Sequence, residues 1–598
     1  MPFMADKKER LPSRSDTVEL QEQNATDTVN VMRNTDKDES AIDDIEQAKH
    51  HAKVPSSEDD GYATGPRLYL VLVSVFTSMF LVTLDRLIVA TAIPQITNEF
   101  SSAGDIGWYG TAYLLPNCAF QLLFGKLYAV FPIKTVLLVA IVIFEAGSAL
   151  CGAAPSSIAL ILGRAIAGLG AGGIASGVIA IIAHCVPLAK RPKYQGFFGG
   201  VFAVASVMGP LVGGAFTTNV TWRWCFYINL PIGAVVFATI ALYLRIPAGA
   251  SPMGLAGAGA NKGPPAPATL VDKLSRLDFL GTLFLIPAVV CLCLALQWGG
   301  AQYRWSSGRI VALLVSSGVC FAAFISAQIL RPEQQVTVPP RILLQRSIAA
   351  GFLSACCYGA HMTIFAYYLP VWFQAIQGVS AVTSGVRTLP MMMPIVAGSI
   401  GTGLLVSHIG YYTPFLLLGT CFASVGSGLL ATLSVDSPAR VWAGYQLIYG
   451  FGLGFGGQAP NMAAQTVLPK PDVALGASLM FFGQQLAGAI FTSVGQNVLD
   501  NQLSYRVNDI PSLHNLTSQD IQTTGATEIL KLVDAVDRGA VLVAYNASLQ
   551  VVFRVGLILA CISFLGAISM EWRSVKKKPG MGLGAPVTES DKPAGTPK

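Results

Sequence analysis

Fourteen apolar stretches, most of them about 20 residues long, follow one another between residues 68 and 570 and are separated mostly by short polar breaks. An α-helix rises about 1.5 Å per residue, so about 20 apolar residues cross the roughly 30 Å hydrocarbon core of a bilayer. A chain that crosses repeatedly must satisfy its backbone polar groups inside each crossing, and α-helices do this. The sequence therefore predicts an all-α polytopic membrane protein with fourteen spans.

Composition supports this class and excludes others. Hydrophobic residues make up 53% of the 598 residues and charged residues only 12%, whereas soluble domains carry about 25% charged residues. The net charge of +6 is spread over loops, so nucleic acid is not an expected partner. The eleven cysteines lie in, beside or at the edge of apolar stretches, which favours buried thiols over disulfides or a metal site.

The apolar stretches also divide the chain. The predicted spans cover residues 68–93, 107–130, 134–153, 157–186, 196–217, 225–245, 278–298, 309–330, 347–370, 384–406, 413–433, 441–467, 474–498 and 548–570. Residues 1–66 and 571–598 are polar tails, of which the first is expected to be disordered. An Ala/Gly/Pro-rich linker is predicted at 246–277, and a long polar loop with some helical pattern near 527–536 is predicted at 499–547.

Basic residues predict the orientation of the spans. An even number of spans places both termini on one side, and Lys and Arg accumulate on the cytoplasmic side. With the tails inside, thirteen basic residues fall on inner loops and span ends and five on short outer loops. Both termini are therefore predicted to be cytoplasmic. The outer loop 499–547 then exposes the N-glycosylation sequon at Asn515, and two further sequons at Asn219 and Asn546 lie close to spans.

Charged side chains inside spans are few, and such residues usually mark a pathway or a partner. Asp85 lies in span 1 and Arg164 in span 4, and we expect both to take part in transport, although each could simply position helices as an ion pair. Glu145 in span 3 is a further candidate, or a neutral hydrogen-bonded acid. Arg86 is expected to extend toward the membrane surface.

Glycine forms a second pattern, on spans 4 and 5. Glycines follow Arg164 at positions 168, 170, 172 and 173, and span 5 contains Gly209, Pro210, Gly213 and Gly214. Small residues let helix backbones approach closely, and an interior proline bends a helix. These faces suit helices that move against each other, although glycine is also common in ordinary membrane packing.

Several strings in order make the chain resemble the major facilitator superfamily over roughly residues 65–570, specifically its fourteen-span drug:proton antiporter branch, typical of fungal toxin and multidrug efflux pumps. They are Leu84-Asp85 through Ala92-Ile93-Pro94, Arg164 with its glycines, Gly209-Pro210-Leu211-Val212-Gly213-Gly214, Trp222 to Gly233, Tyr368 to Gln374 and Ser384 to Arg387.

The chain departs from that family in the loop between spans 2 and 3. Gly125 and Lys134 are present, but Ala129 occupies the position of the family's acidic residue. The corresponding stretch in the second half, Gly403 to Gly410, has also lost its charges. A charge-relay gate at the cytoplasmic face must therefore be weaker or built differently. Span 1 has Leu87 where many relatives have a hydroxyl.

The resemblance implies two six-helix bundles, 67–245 and 331–570, with the two inserted spans at 278–330 between them and a substrate site near the midplane. Polar and aromatic residues in otherwise apolar spans are candidates for that site, or cross-link helices. They are Asn117, Gln121, Asn229, Tyr367, Gln458, Asn461, Gln465, Gln484 and Gln485. Such a lining suits a bulky neutral or weakly charged organic molecule.

The favoured function is export of a small organic toxin, drug or secondary metabolite driven by proton entry. Asp85, and alternatively Glu145, would take up the proton, while Arg164 would modulate the acid. Proton-driven import, for example of a siderophore, is the alternative, followed by a non-transporting sensor. No nucleotide loop, metal cluster or catalytic arrangement argues for an enzyme or a cofactor. We expect a monomer in the plasma membrane, or alternatively in the vacuolar membrane.

Overall fold

The computed structural model describes residues 65–102, 105–244, 275–300, 303–508 and 537–576. These residues are almost entirely helical, with isolated bridge pairs at Gly299–Tyr303 and Tyr411–Ser574. The helices are α1 (Pro66–Phe100), α2 (Ile106–Val130), α3 (Ile133–Gly152), α4 (Ser157–Cys185), α5 (Arg191–Asn219), α6 (Trp224–Tyr227 continued by Asn229–Tyr243), α7 (Phe279–Trp298), α8 (Gly308–Leu330), α9 (Arg346–Gln377), α10 (Ala381–Arg387 continued by Leu389–Ile409), α11 (Thr413–Leu430), α12 (Ala439–Gly456 continued by Ala459–Val467), α13 (Val473–Asn508) and α14 (Arg538–Ser569).

Twelve helices in the described residues are long and apolar enough to cross a membrane. The all-α polytopic fold is therefore confirmed. The predicted spans that fall short are α2 and α12. Helix α2 carries polar side chains such as Asn117 and Gln121, and α12 is interrupted between Gly456 and Ala459. Both segments pack among the other helices, and the count of fourteen spans stays a prediction.

Several helix bounds differ from the predicted spans. Helix α9 continues through Pro370 to Gln377, although an interior proline usually ends a helix. The Ser384 hydroxyl donates to the Pro370 carbonyl at 2.9 Å, which ties this part of α9 to the start of α10.

The polar loop predicted at 499–547 is helical at both ends, because α13 runs to Asn508 and α14 begins at Arg538. Amphipathic turns at the ends of long helices lack the apolar run that marks a span. The predicted helical pattern at 527–536 and most of the linker 246–277 lie outside the described residues.

The helices pack in two groups. In the first half α4 contacts α2 and α3, and α1 contacts α5 and α6; in the second half α9 contacts α13 and α14, and α12 contacts α10 and α11. Three helix pairs join the groups, α5 with α10, α2 with α13 and α4 with α13. Helices α7 and α8 pack on each other, and α7 lies against α2 and α13, over the seam between them.

Glycines on α4 let that helix pack closely enough to bury most of its residues. A Cβ atom added at Gly168 would lie 2.0 Å from the Tyr113 carbonyl oxygen on α2, and one at Gly170 would lie 2.4 Å from the Phe144 nitrogen on α3. Neither contact could be relieved by a side-chain rotation, since both involve backbone atoms. The predicted close approach of helix backbones is therefore present on this face.

Direct contacts between the two groups of helices cluster at one end of the bundle. We call this end the C-terminal face because α14 ends there. The Ser176 hydroxyl on α4 and the Ser478 hydroxyl on α13 lie 2.9 Å apart. Ser407 on α10 donates to the Ala189 carbonyl at 2.7 Å. A Cβ at Gly403 would lie 2.5 Å from the Pro192 carbonyl. The two groups of helices are thus in close contact at this face.

Candidate functional site

Asp85 on α1 and Arg164 on α4 form an ion pair in the interior of the first helix group. The Arg164 Nη1 atom lies 2.5 Å from the Asp85 Oδ2 atom, and the two side chains are 0% and 1% exposed. Charges removed from water are retained only when paired and hydrogen-bonded. The two residues that the sequence placed in separate spans are therefore brought together by the fold.

Further groups fix the Arg164 guanidinium. Its Nε donates to the Tyr109 carbonyl at 3.0 Å, and it lies 4.3 Å above the centre of the Tyr113 ring. The Tyr113 hydroxyl in turn donates to the Val82 carbonyl on α1 at 3.0 Å. Because Arg164 bonds to α1 and α2 at once, changes at Asp85 act directly on the packing of three helices.

Asn229 at the start of the longer segment of α6 completes the Asp85 environment. Its Nδ2 donates to Asp85 Oδ1 at 3.1 Å and to the Ser148 hydroxyl on α3 at 3.2 Å. Both Asp85 oxygens are thus occupied, one by a cation and one by a neutral amide. Asn229, predicted as a substrate contact, lies in the same network as the predicted proton-coupling residues.

Glu145 is separate from this network. Both carboxylate oxygens are buried without a hydrogen-bond partner among the described residues. The side chain packs against Gly233 on α6, where an added Cβ would lie 1.8 Å from the Glu145 Oε1 atom. A carboxyl group in such surroundings is costly when ionised, so this site favours the protonated acid.

The glycine motif of α5 packs on α1 beside Asp85. A Cβ at Gly213 would lie 2.2 Å from the Thr91 Oγ1 atom, and one at Gly209 would lie 3.1 Å from the Leu87 Cβ atom. Pro210 is inside the helix, and Gly214 faces open space. The motif therefore lets α5 approach the turn of α1 that follows Asp85.

A cavity of about 150 Å³ lies at the junction of α1, α2, α7, α9 and α13. Its wall is formed by Arg86, Thr111, Leu114, Leu115, Cys118, Cys293, Leu296, Gln297, Thr363, Gln485, Gly488, Ala489, Thr492 and Ser493. The residues from α2 lie in its first half and those from α7 near its end, so the cavity is on the opposite side of the midplane from the C-terminal face. Helix α7, which the sequence predicts to be one of two inserted spans, thus supplies part of the wall.

The structure places the nine predicted substrate residues in several environments. Gln485 lines the cavity. Gln121 donates to the Ser176 hydroxyl at 2.7 Å and so belongs to the contact of α2 and α4 with α13. Asn117 is buried against α4, 3.2 Å from the position of a Cβ at Gly172. In this conformation Gln121 cross-links helices by a hydrogen bond, and Asn117 packs on α4.

The other candidates lie on α9, α12 and α13. Tyr367 is about half exposed, 52%, and its ring contacts Tyr368. Gln458, Asn461 and Gln465 lie at or after the break in α12 and have buried side-chain oxygen atoms without a partner among the described residues. The Gln484 backbone packs on Gly359 of α9. Their role in binding stays a prediction.

Sequence reasoning assigned one polar residue to the wrong surroundings and did not single out two others. Arg86 faces the cavity rather than the membrane surface. His361 on α9 is buried and lies 2.8 Å from the Tyr449 hydroxyl on α12. Asp278, at the start of α7, is completely buried. The clearest available signal was the position of Arg86, the twenty-first residue of a 35-residue helix, several turns from either end.

Asp278 holds α7, the end of α8 and the segment after α8 together at the C-terminal face. Its carboxylate accepts hydrogen bonds from the Gly281 nitrogen, the Gln328 side chain, Arg331, and both the nitrogen and hydroxyl of Thr337, at 2.6–3.0 Å. Next to it, the Lys126 Nζ atom donates to the Val336 carbonyl at 2.7 Å. The last turns of α2, where Ala129 occupies the position of the family's acidic residue, therefore contact the segment after α8.

The predicted glycosylation sites differ in their surroundings. Asn515 lies outside the described residues. Asn219 is the last residue of α5, and its side chain donates to the Ala215 carbonyl in an exposed setting. Asn546 is buried inside α14, where it accepts from Trp372 at 2.7 Å and donates to the Leu433 carbonyl at 3.0 Å. Modification of Asn546 would require both bonds to break.

Comparison with known proteins decides the family. Residues 75–492 match the family model described as Major Facilitator Superfamily. The chain belongs to the major facilitator superfamily. It is accordingly a multi-pass membrane transporter rather than an enzyme. The crystal structure of the human organic anion transporter MFSD10 has the same fold, with a TM-score of 0.51 and 14% identity over 83% of this chain and all of that one.

Fungal members of the superfamily are much more similar in sequence. An MFS-type transporter of Claviceps purpurea is 50% identical, over 86% of this chain and 87% of that protein. The MFS-type efflux pump MFS1 of Arthroderma benhamiae is 46% identical, over 91% and 98%. The rubrofusarin-specific efflux pump aurT of Gibberella zeae is 44% identical, over 87% and 92%. The similarity thus extends over nearly the whole length of each relative.

Proposed function

We propose that this protein exports small organic molecules, such as toxins, drugs or secondary metabolites, in exchange for protons. The similarity to proteins named as efflux pumps supports export. The observation that carries proton exchange is the buried Asp85–Arg164 pair, because a carboxylate in this setting changes the charge of the helix interior when it binds a proton.

Protonation of Asp85 has a defined local consequence. The neutral acid holds Arg164 less strongly, and the bonds between α1 and α4 weaken. Asn229 can still accept or donate to the neutral group, so the site is not left unsatisfied. Asp85 therefore serves as the coupling acid, Arg164 as the group that keeps it ionised between cycles, and Glu145 as a second acid that is neutral for much of the cycle.

The arrangement of contacts supports alternating access. The helix groups touch at the C-terminal face through Ser176–Ser478 and Ser407–Ala189, while the cavity lies toward the other end. The resting conformation is then closed at the C-terminal face. Loosening of α1 on proton uptake would be transmitted through the glycine face of α5, which packs on α1 and contacts α10.

The test uses yeast that lack their own drug pumps and express this chain or Asp85→Asn. Cells are challenged with a panel of acidic, neutral and basic organic compounds, and retention of each compound that becomes less toxic is measured with and without a protonophore. We expect protection by the wild type, loss of protection with Asp85→Asn, and greater retention when the gradient is dissipated. Retention that ignores the protonophore would refute proton coupling, and increased sensitivity would indicate import.

We also propose a monomer in the plasma membrane with both termini in the cytoplasm. The distribution of Lys and Arg supports this orientation. Epitope tags at each terminus should be reached by antibody only after the cells are permeabilised. Labelling of either tag on intact cells would contradict the orientation.

A further inference from the structure

Arg86 is a charged side chain on the wall of the cavity. It is exposed, and it is one of the residues that line the cavity. The ion pairs of the described residues involve other arginines and none includes Arg86. Within the described part of the chain, the other side chains of the cavity wall are uncharged.

Asp85, although next in sequence, is not available to neutralise Arg86. One of its oxygens binds Arg164 at 2.5 Å and the other accepts from Asn229 at 3.1 Å. Successive residues of a helix point about 100° apart, so Asp85 faces α4 while Arg86 faces α2, α7 and α13. Asp85 therefore belongs to an internal ion pair, whereas Arg86, the next residue of α1, is a cation without an ion-pair partner among the described residues.

The rest of the wall combines hydrogen-bonding groups with an apolar surface. Thr111 donates to the Gln297 side chain at 2.8 Å, which joins α2 to α7 at this site. Gln485 and Thr492 on α13 lie on the same wall, and Leu114, Leu115 and Leu296 form the apolar part. This is the composition of a pocket that holds an apolar body and orients it by a few polar groups.

We propose that this cavity binds an organic anion, a molecule with an aromatic or alicyclic body and a carboxylate or ionised phenol that pairs with Arg86. The proposal rests on the proposed export function and names its substrate class. A guanidinium away from bulk water is costly until an anion reaches it, and its planar fork matches a carboxylate. The inserted helix α7 then contributes to substrate recognition, since Cys293, Leu296 and Gln297 face the bound molecule.

Binding is tested on the full chain in phosphatidylcholine nanodiscs at pH 7.5. The probes are 2-naphthoate and its uncharged analogue 2-naphthamide, which differ at the acidic group. We expect the wild type to bind naphthoate roughly 10- to 100-fold more tightly than the amide, the range for charge-assisted hydrogen bonds. Arg86→Gln should abolish the preference while still binding the amide, and Arg86→Lys should retain part of it.

Arg440→Gln is the matched control, because it removes the same charge from an exposed position at the start of α12. It should keep the wild-type preference. Equal binding of acid and amide by the wild type, no binding of naphthoate, or an unchanged preference in Arg86→Gln would each overturn the proposal. If Arg86→Gln does not fold, the wild-type comparison and Arg86→Lys decide the question.

The failure of this proposal and of the export proposal are distinguishable. In the yeast panel, Arg86→Gln should lose protection against acidic compounds and keep it against any neutral ones. Proton-dependent protection without a preference for anions would leave export intact and refute the anion site. Arg86-dependent binding in nanodiscs, combined with retention that ignores the proton gradient, would refute only the coupling.

Discussion

At the scale of single residues, one buried ion pair lies in the interior of the first helix group, and its two members have different sets of partners. Arg164 is held by the Asp85 carboxylate, the Tyr109 carbonyl and the Tyr113 ring, whereas Asp85 relies on Arg164 and Asn229. Removing one partner of a buried pair leaves an uncompensated charge, which costs about 3–5 kcal/mol.

A double-mutant cycle tests this pair. Asp85→Asn and Arg164→Ala should each lower the thermal unfolding temperature in detergent. Asp85→Asn leaves the Arg164 cation buried without its partner, and Arg164→Ala leaves the Asp85 carboxylate buried without its partner. The double variant should be more stable than the sum of the single losses predicts, because no lone charge remains. Additive losses would show that the pair does not stabilise the fold, whatever its role in transport.

The sequence made this pair foreseeable, but not its surroundings. Ionisable residues in spans are so few that Asp85 and Arg164 were natural partners. Arg86 was interpreted as a snorkelling side chain because its sequence neighbours do not reveal the cavity. Asp278 was overlooked because an acid at the start of a helix is usually a solvated cap, and its burial depends on Gln328 and Thr337, which are 50 and 59 residues away in sequence.

At the scale of helices, glycine positions within one motif are not equivalent. Gly213 faces α1 and Gly214 faces open space, although they are adjacent on α5. A methyl group can be accommodated only where the neighbouring helix leaves room. Comparing Gly213 with Gly214 therefore distinguishes a glycine that close helix packing requires from one that a membrane helix merely tolerates.

Gly213→Ala should impair transport and lower the unfolding temperature, because its Cβ collides with Thr91 and Ile88 on α1. Gly214→Ala, the matched control, should leave both near the wild-type values, since alanine is the better helix former. Unfolding temperature and compound retention in the yeast assay measure the two effects. Equal behaviour of the two variants would contradict the packing role of the motif.

The inserted helices depend on Asp278 in the same way. Asp278→Ala removes the acceptor shared by Gly281, Gln328, Arg331 and Thr337 and leaves several donors unsatisfied. We expect faster amide hydrogen exchange in residues 328–338. Glu333→Ala, which removes an exposed ion pair with Arg341, is the control and should change little. Exchange that stays at the wild-type rate in Asp278→Ala would rule out this anchoring role.

At the scale of the whole molecule, the helix groups are joined at the C-terminal face. A disulfide between Ser176→Cys and Ser478→Cys should hold this face closed, because the two hydroxyls are already 2.9 Å apart. Transport should stop on oxidation and return on reduction. Each single cysteine variant serves as the control for the native thiols, and unimpeded transport by the cross-linked protein would refute alternating access at this face.

The chain after α14 adds a pH-sensitive contact at the same face. Glu571 accepts from the Ser347 hydroxyl at 3.0 Å and from Arg573 at 3.1 Å. Partial burial raises the pKa of Glu571, but these two hydrogen bonds and the positive charges of Arg573 and Arg346 together outweigh that effect, and the pKa lies below its ordinary value of 4.5.

A lowered pKa makes this contact stabilising above the ordinary value and lost as the pH falls through the lower, folded-state value. We expect the exchange protection factors of residues 570–576, corrected for intrinsic rates, to fall as the pH is lowered below about 4.5. Glu571→Gln should show weaker protection that does not change with pH in this range. A pH-dependent loss in Glu571→Gln would assign the effect to another group.

The lengths of the apolar stretches predicted the helical membrane architecture, but they did not predict where each helix ends. Hydropathy locates a span only where lipid contact requires apolar residues. It therefore ended α9 at Pro370 and missed the polar turns of α13 before Asn508. The break in α12 after Gly456 lies just before Pro460, which stands in the first turn of the next helical segment, and hydropathy does not register such a break.

Helices α7 and α8 brace the contact of α2 with α13 but not the contact of α5 with α10. Gln297 binds Thr111 on α2, and Trp305, in the turn between α7 and α8, donates to Asn497 on α13 at 2.7 Å. Separating α2 from α13 at that end must break one of these bonds, whereas α5 and α10 have no comparable brace among the described residues. We therefore predict that opening at that end separates α5 from α10 first, while α2 and α13 stay joined through α7.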